Sequence, residues 1–562
     1  MQDFLQERFD TTSKLYNDPH NPQRHYERGL IHERLGFADL ASADAYRALS
    51  LLESIVDPDG CEFHARRRIE SADANGQEDD DDDDSAYALI AQDEYDALIG
   101  DVYSLLVRSL VSCGCFRDAY EFCVRGQALL GDNGSSDWGK ALQQQMDIIK
   151  KIYISRRPGS ETSDKVQVDP GALNAQGRAR RVLYPWNEHE PDRKAPETLR
   201  LLNEQLKGVA PKCEVRAVAL PLLHGTAESS SPYSNNPDEV SVQLGLFAKE
   251  DIAPGEILLH ETTLLTATNR LHDDLCDACN APLPDLASEN PPVACCGCSD
   301  DIIFCSQTCH DQAQRIYHGA VCGLMGSLGS IGKDIPDPKD KADYLYLLLV
   351  GRAIAMAATQ DVHPLDLPEI KYIWGDFHDL DLSSPHGSGE NDDSASLPFS
   401  FHLNILQPMR ILEEMELDPY TVLPLYDTWV LNTLYAKFRG TASGRLSKWD
   451  GGPELCAVHP LWCLANHSCD PNVRWEWGGE ITFRARSASE RPIWKRKTKT
   501  SSGTAIQETK TTSGRCEGIK ADEEIWNHYC DIGLDVKERR EWAKGALGGL
   551  CRCERCAWEA GE

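Results

Sequence analysis

Residues 466–472 read NHSCDPN, and near the end of the chain residues 551–556 read CRCERC. The second stretch places three cysteines close together: Cys551, Cys553 and Cys556. A closed zinc site in a protein is tetrahedral and takes four ligands, so these three thiols need a fourth ligand from elsewhere in the chain. The candidate is Cys469 of the first stretch. The two stretches together therefore predict a metal site that joins distant segments.

The NHSCDPN stretch, followed by a C-x-C-x-x-C tail, resembles the SET methyltransferase core with its post-SET zinc site. The resemblance implies that Cys469 completes the tail site. The segment VQLGLFAKEDIAPGEILLHE at 242–261 is similar to the opening SET strands, and its Pro254-Gly255 pair suits a hairpin turn. The segment IKADEEIWNHYCD at 519–531 resembles the closing one. There Asp522 stands where the family has glycine, and Asp enters left-handed turns more readily than most residues.

A second group of cysteines lies upstream, between Cys276 and Cys322, in CDAC, CCGC, CSQTC and HGAVC. Thiolates with imidazole and without surplus carboxylates suit tetrahedral zinc, and the short spacings let one turn present two sulfurs to one ion. Two closed sites are expected. Cys295 gives the C-x-x-C spacing with Cys298, whereas Cys296 does not, so the spacing favours Cys295 as the ligand.

This stretch resembles the MYND finger, whose two zinc ions are bound in interleaved fashion. The resemblance implies one ion on Cys276, Cys279, Cys305 and Cys309, and a second on Cys295, Cys298, His318 and Cys322. Closed sites leave no coordination position for a substrate, so these ions are expected to stabilise the fold rather than activate water. The finger is then a structural element or a docking surface for peptide partners.

A MYND finger inserted between the first SET strands and the NHSC segment is similar to the SET-and-MYND family of protein lysine methyltransferases. The resemblance implies methyl transfer from S-adenosylmethionine to a lysine of a histone or non-histone protein. It assigns cofactor contacts to Gly245, Asn466 and His467, and the catalytic role to Tyr529. Two departures bear on cofactor affinity. Gln243 replaces a family glycine, and Gly549 precedes the tail where an aromatic residue is usual.

The N-terminal region reads as helical, with small residues at recurring positions. Gly36 and Ala41 recur as Gly114 and Ala119 in a weaker second copy, and the spacing resembles a tetratricopeptide repeat. A plain amphipathic helical bundle without peptide binding is the alternative. Seven consecutive acidic residues, 78–84, predict a disordered loop between the two copies.

The expected fold class is α+β multidomain. A β-rich SET core is split by the finger and by a helical insertion, and it follows a helical repeat-like domain. The expected boundaries are 1–154 for the helical region with its acidic loop at 71–85, 155–210 for a linker, 211–275 for the first SET part, 276–322 for the finger, 323–450 for a helical insertion, 451–535 for the SET catalytic core with a flexible insertion at 487–518, and 536–562 for the post-SET segment.

Composition limits the function. With 57 Lys plus Arg against 90 Asp plus Glu, the net charge of -33 repels nucleic acid and favours a basic, lysine-rich partner. The sequence lacks a long apolar run and a signal-like start, which predicts a cytoplasmic or nuclear protein, expected as a monomer. The basic cluster at Lys495–Lys499 fits either a nuclear import signal or a solvated loop. The alternative function is a catalytically weak or inactive zinc-stabilised adaptor that binds partner peptides through the finger and the helical repeats.

Overall fold

The structure is a computed structural model. It describes residues 2–56, 92–129, 136–156, 167–180, 182–221, 240–269, 274–298, 302–324, 328, 331, 338–373, 396–447, 452–499, 505–510, 518–547 and 549–561. The expected acidic loop at 71–85 lies outside these residues. Among the described helices, none combines the length and apolar character that a bilayer crossing requires.

The described residues form a mixture of helices and strands, with a run of helices before the first strand. The helices are α1 (Gln2–Asn17), α2 (Pro22–Arg34), α3 (Ala38–Val56), α4 (Gln92–Cys113), α5 (Phe116–Ala128), α6 (Asp137–Ser155), α7 (Pro196–Val209), α8 (Gln307–Ile316), α9 (Pro338–Gln360), α10 (Pro368–Lys371), α11 (Gln407–Glu414), α12 (Leu423–Tyr426), α13 (Thr428–Thr441), α14 (Val536–Leu547) and α15 (Glu554–Ala560). The strands are β1 (Gln176–Arg180), β2 (Cys213–Pro221), β3 (Val240–Ala248), β4 (Ile257–Glu261), β5 (Thr266–Thr268), β6 (Val293–Ala294), β7 (Ile303–Phe304), β8 (Ser396–Ser400), β9 (Ser443–Leu446), β10 (Pro453–Ala457), β11 (Val473–Trp477), β12 (Ile481–Ala485), β13 (Trp494–Lys499) and β14 (Ala505–Lys510).

The chain forms two compact units. The first, the helical unit, comprises Met1–Tyr184 and His378–Asn432. The second comprises Pro185–Phe377 and Thr433–Glu562, and it is called the SET unit here because it contains the segments that resemble the SET core. The helical unit contains two helical hairpins, α2 with α3 and α4 with α5. Gly36 (φ +79°) and Gly114 (φ +83°) occupy the left-handed positions after the first helix of each hairpin. The two related sequence copies therefore share a turn, and the expected N-terminal helical region is confirmed.

The core of the helical unit includes residues from far along the chain. Phe401 packs edge-on against Tyr46 and Phe122, with ring centroids 4.8 and 5.2 Å away. β8 pairs with β1 in antiparallel register. The region 323–450, expected as one insertion of the SET core, is thus divided, because its residues 396–432 bury their apolar side chains among the N-terminal helices.

The SET unit is built from small antiparallel sheets. Its sheet orders are β2-β3, β5-β10-β9, β11-β12-β4, β6-β7 and β13-β14. The hairpin expected around Pro254-Gly255 does not form, although Gly255 does make a left-handed turn at φ +80°. β3 pairs with β2, and β4 pairs with β12, so the turn carries the chain from one sheet to another.

The expectation of a linker over 155–210 does not hold for most of that segment. α7 buries Leu202 and Leu206 in the main core of the SET unit. In the same core Trp462 stacks on Phe483, with ring centroids 5.8 Å apart. Upstream of α7, β1 is a paired strand of the helical unit. α7 is an amphipathic helix that packs on the core through its apolar face. Its charged outer face explains why the composition of this segment resembles that of a linker.

The insertion at 487–518, expected to be flexible, contains the antiparallel pair β13 and β14. Trp494 at its start is fully buried and lies 6.1 Å from Trp558 of α15. The guanidinium of Arg496 lies over the Trp558 ring, and the backbone N–H of Lys495 donates to Glu559. One buried tryptophan therefore anchors a segment whose basic composition predicted a solvated loop.

Candidate functional site

The first thiol cluster contains Cys276, Cys279, Cys305 and Cys309, whose sulfurs all lie within 4.8 Å of one another. A tight turn presents the first pair, with the N–H of Asn280 donating to the Cys276 carbonyl and Asn280 itself at φ +57°. Ser306 caps α8 by accepting from the N–H of Cys309. The turn and the capped helix thus fix the four sulfurs around one point.

The second cluster contains Cys295, Cys298, His318 and Cys322. His318 Nε2 lies 3.2 Å from the Cys295 sulfur and 3.4 Å from the Cys298 sulfur. A Cβ atom on Gly297 would come within 2.7 Å of the Cys322 sulfur, so this position needs glycine. Cys295 belongs to the cluster, whereas the neighbouring Cys296 is exposed. The two clusters alternate along the chain, which is the interleaved order that the resemblance implies.

The finger, residues 276–322, which contains these two clusters, packs against α9. The guanidinium carbon of Arg352 lies 3.6 Å from the ring centroid of Tyr317. Tyr317 in turn donates its hydroxyl hydrogen to Asp277 at 2.7 Å. Thr359 of α9 accepts from the Ala320 N–H and donates to the Tyr317 carbonyl. Residues next to the predicted ligands thus hold the finger against the SET unit.

The third cluster, here called the tail cluster, contains Cys469, Cys551, Cys553 and Cys556. The Cys556 sulfur lies 3.3 Å from that of Cys469, and the Cys551 sulfur lies 4.0 Å from it. Arg555 reaches back from α15 and donates to the backbone carbonyls of Cys469 and Ile532 at 2.7 and 3.0 Å. The C-terminal segment is therefore tied to the NHSCDPN stretch both by sulfur and by backbone contacts.

The NHSCDPN stretch crosses the closing segment directly. The N–H of Asn527 donates to the Asn466 carbonyl, and the N–H of Ser468 donates to the Asn527 carbonyl, both at 2.8 Å. Asn472 then donates its amide to the Glu524 carbonyl and accepts from the N–H of Trp526, both at 2.7 Å. The left-handed turn expected at Asp522 is confirmed, with φ +66°. These bonds place the predicted site residues next to one another.

Asn466, Gly245 and Glu524 form a small polar cluster. The Asn466 amide nitrogen donates to the Leu244 carbonyl at 3.0 Å and to Glu524 Oε1 at 2.8 Å. A Cβ on Gly245 would lie 2.7 Å from the same Glu524 oxygen. Burial raises the pKa of Glu524, and the hydrogen bond from Asn466 opposes that shift. With both amide hydrogens used inside the protein, Asn466 offers a ligand only its acceptor oxygen.

Tyr529 is fixed at both ends. Its hydroxyl donates to the Ala465 carbonyl at 2.9 Å, and its backbone N–H donates to His467 Nδ1 at 3.0 Å. Burial raises the pKa of the Tyr529 phenol above its usual value. The hydroxyl is therefore protonated at neutral pH and remains a hydrogen-bond donor next to the start of the NHSCDPN stretch.

His467, expected to contact the cofactor, uses both ring nitrogens inside the protein. Nδ1 accepts from Tyr529, and Nε2 lies 3.4 Å from the Cys469 sulfur. Burial lowers the pKa of His467 to about 4, so the ring is neutral at neutral pH. A contact from His467 to a cofactor is thus left to its backbone.

A further cluster of His189, His363 and Asp366 has the residue types of a metal site. Its imidazole rings are stacked, 3.7 Å apart and within 3° of parallel, so their nitrogen lone pairs do not converge on one ion. His363 Nδ1 already accepts from the Leu365 N–H. Asp366 is shared between His189 at 2.7 Å and Lys371 at 2.8 Å. These hydrogen bonds and ion pairs explain why the three side chains lie together without a metal ion.

Two residues of this region escaped the sequence reasoning. Glu524 lies in the quoted ADEEI segment, but only the fold shows that its carboxyl, rather than that of Glu523, faces Gly245. Arg193 comes from the segment expected as a linker, and burial lowers its pKa to about 10. The Arg193 Nε donates to the Tyr372 carbonyl at 3.0 Å. No local sequence signal distinguishes either residue from a surface charge.

The family model of the SET domain matches residues 243–491 of the chain. The match covers less than half of the 562 residues, and it includes Gly245, Asn466 and His467 but stops before Tyr529 and the tail. No curated protein matches the chain. A SET domain is therefore present, and SET domains in general point to protein-lysine methyltransferases.

Proposed function

We propose that this protein is an S-adenosylmethionine-dependent protein-lysine N-methyltransferase of the SET-and-MYND type. The observation that carries the proposal is the convergence of Gly245, Asn466 and Glu524 beside the segment that holds Tyr529. S-adenosylmethionine carries an ammonium and a sulfonium. A glycine without a side chain, an amide oxygen and a carboxyl group form a wall that accepts hydrogen bonds and favours positive charge.

Each residue of this wall has a distinct part in the proposal. Asn466 and Glu524 bind and orient the cationic end of the cofactor, and Gly245 lets the backbone approach it. The cofactor supplies an electrophilic methyl group. The buried Tyr529 hydroxyl, held by the Ala465 carbonyl, orients the incoming lysine amine. Exclusion of water lowers the pKa of that lysine, which makes the neutral nucleophile available.

The three sulfur clusters suit zinc, because each combines four thiolate or imidazole ligands in a compact group without a carboxylate. Two ions would stabilise the finger and one would fasten the tail. None of them takes part in methyl transfer, since four protein ligands fill a tetrahedral ion. We further propose that the finger and the tetratricopeptide-like helices dock partner peptides.

The substrate is proposed to be a lysine-containing protein, a histone or another basic protein, without direct nucleic-acid binding. The net charge of -33 supports a basic partner through long-range attraction. Nuclear and cytoplasmic locations and a monomeric state remain part of the proposal. Gln243, and Gly549 with the exposed Leu550 before the tail cysteines, support the second candidate, a catalytically inactive adaptor.

The test begins with isothermal titration of zinc-loaded protein with S-adenosylmethionine and with its demethylated product. We expect saturable binding that Asn466→Ala abolishes, because the variant removes the acceptor and releases Glu524. Transfer of radiolabelled methyl groups to a mixture of basic proteins is then compared between the native chain and Tyr529→Phe. We expect the variant to lose about a hundredfold in rate, the low end of what a positioned acid–base side chain contributes.

The matched control is Tyr103→Phe, which removes the hydroxyl of a buried tyrosine in the helical unit. It should leave cofactor binding and transfer unchanged. Absence of cofactor binding by folded, zinc-loaded native protein contradicts the enzyme and favours the adaptor. A Tyr529→Phe variant that transfers methyl groups at the native rate contradicts the role of Tyr529 alone.

A further inference from the structure

The ring of His467 lies between the tail cluster and Tyr529. Its Nδ1 lies 3.0 Å from the backbone nitrogen of Tyr529, and its Nε2 lies 3.4 Å from the sulfur of Cys469. The side chain is buried, and the backbone of His467 pairs with Asn527 in a parallel bridge. A single side chain thus joins a predicted zinc ligand to the predicted catalytic residue.

The hydrogen-bond pattern fixes the tautomer of this ring. A backbone N–H is only a donor, so Nδ1 of His467 must present its lone pair to Tyr529. The proton of the neutral ring is then on Nε2, which faces the Cys469 sulfur and donates to it. A metal ion at the tail cluster would hold the Cys469 sulfur, and with it the acceptor of this hydrogen bond, in one position.

We propose that His467 is a positioning residue that couples occupancy of the tail cluster to the orientation of Tyr529. This inference rests on the proposed function of the site. When a metal ion holds the Cys469 sulfur in place, the ring is held with Nδ1 towards the Tyr529 backbone, and the tyrosine hydroxyl keeps its bond to the Ala465 carbonyl. When the sulfur is not held, the ring loses its fixed partner and the Tyr529 backbone loses its fixed acceptor.

The tail has a second attachment that must be separated from this path. Arg555 binds the carbonyls of Cys469 and Ile532, so loss of metal also loosens the backbone near Tyr529 without any help from His467. Removing zinc alone therefore cannot test the coupling. The test requires variants of His467 in zinc-saturated protein, where the tail remains attached.

Two substitutions of His467 each preserve one of its two hydrogen bonds and remove the other. His467→Asn places an amide oxygen where Nδ1 stood, so it preserves the acceptor for Tyr529 but does not reach the Cys469 sulfur. His467→Gln places an amide nitrogen near the position of Nε2, so it preserves the donor to sulfur but not the acceptor. His467→Ala removes both hydrogen bonds. His459→Asn is the control, because His459 is another buried histidine of the SET unit, placed in neither the metal nor the cofactor site.

Three quantities are measured for each variant: the zinc affinity of the tail cluster by competition with a chelator, kcat and KM for S-adenosylmethionine, and the 19F resonance of Tyr529 in protein labelled with fluorotyrosine. The tail zinc is identified as the ion that Cys556→Ser lacks, and the resonance as the one that Tyr529→Phe lacks. Loss of an outer-shell hydrogen bond typically weakens metal binding about tenfold or more.

We expect a crossed pattern. His467→Asn weakens tail zinc binding about tenfold but at saturating zinc keeps the native Tyr529 resonance. His467→Gln keeps zinc affinity, shifts the resonance and lowers kcat with little change in KM. His467→Ala shows both losses, and His459→Asn shows neither. A merely structural role for His467 predicts parallel losses in the Asn and Gln variants, or none, and either result overturns the proposal.

Failure of the proposed function is distinguishable from failure of this inference. If the native chain neither binds S-adenosylmethionine nor transfers methyl groups, the enzyme proposal fails. Zinc affinity and the Tyr529 resonance are measured without cofactor, so the crossed pattern in those two quantities is still observed or refuted.

Discussion

The two units of this chain bury polar groups by different chemistry. In the helical unit, Arg28 is fully buried and forms a bidentate pair with Asp44, with N–O distances of 2.9 and 2.6 Å, and a third bond to Asp427 at 2.7 Å. In the SET unit, the corresponding groups of closely packed polar side chains are the cysteine clusters. The helical unit is stabilised by ion pairs between its own side chains. The SET unit is expected to be stabilised by metal ions that it must bind from solution.

This difference has a consequence for how each unit depends on its surroundings. A buried ion pair contributes mainly when both partners are present, because an unpaired buried charge is strongly destabilising. A thiol cluster depends on metal supply and on pH, since the thiols must lose protons to bind. The helical unit should therefore respond to mutation and to acid, and the SET unit to chelators.

The largest expected effect is that of metal removal. Structural zinc sites carry apparent binding free energies of about 10–16 kcal/mol, so stripping all three ions should unfold the finger and the tail. Calorimetry of chelator-treated protein should show the transition of the SET unit lost and that of the helical unit retained. Quantification of released metal should give three zinc ions per chain. If both unfolding transitions remained after complete removal of metal, the SET unit would not depend on metal more than the helical unit does.

The converse test replaces Arg28 with methionine. The variant leaves Asp44 and Asp427 as buried carboxylates without their shared cation, and we expect a loss of about 3–5 kcal/mol in the unfolding free energy of the helical unit. Zinc content should not change. The control is Arg34→Met, whose partner Glu7 is half exposed, because an exposed pair contributes at most about 1 kcal/mol. Equal losses in the two variants would contradict a buried network.

Acid should affect the helical unit through two buried histidines. Burial lowers the pKa of His25 to about 3 and that of His32 to about 4. The unfolded chain binds these protons near pH 6.5 and the folded unit does not, so stability is present above pH 6.5 and is lost as the pH falls towards 4. The loss at pH 5 is about 2 kcal/mol for each residue.

Denaturant titrations at pH 7 and pH 5, followed by a probe in the helical unit, measure this loss. His25→Gln and His32→Gln should each flatten the pH dependence, whatever their effect at pH 7. A native chain whose helical unit is equally stable at both pH values would show that these histidines are protonated in the folded state.

Within the SET unit, Gly245→Ala should weaken cofactor binding by about tenfold. Its Cβ would come within 2.7 Å of Glu524 Oε1, and overpacking at a filled position costs about 1–3 kcal/mol. Titration calorimetry with S-adenosylmethionine measures the effect. Gly208→Ala is the control, since nothing lies within 4 Å of its added Cβ. Unchanged affinity in Gly245→Ala would place the cofactor elsewhere.

The smallest expected effect distinguishes two neighbouring cysteines. Cys296→Ser should leave the zinc content and stability of the finger unchanged because Cys296 is exposed and outside the cluster. Cys295→Ser should lose one zinc ion. Metal analysis of both purified variants decides between them, and the reverse result would assign the ligand to Cys296.

Part of the fold and of the candidate site could be predicted from the sequence, because those signals are local or carry a strong chemical preference. The family resemblance of the cysteine-rich stretch implied the two groups of ligands that lie close together in the structure, and the left-handed turn at Asp522 followed from the properties of that residue type. Phe401 and Asp427 gave no such signal. Their partners lie hundreds of residues earlier, and an apolar or acidic residue in an insertion looks the same whether it packs on one unit or the other.

The sequence by itself determined which chemical groups this protein offers: metal-binding thiols with one imidazole, a histidine in the NHSCDPN stretch, and a tyrosine in the closing segment. Only the tertiary structure decided that residues 396–432 fold with the N-terminal helices, that Trp494 anchors β13 against α15, and that the Glu524 carboxyl faces Gly245. The physical reason is that residue type limits which bonds a side chain forms. Which partner it finds depends on burial, and burial is a property of the whole folded chain.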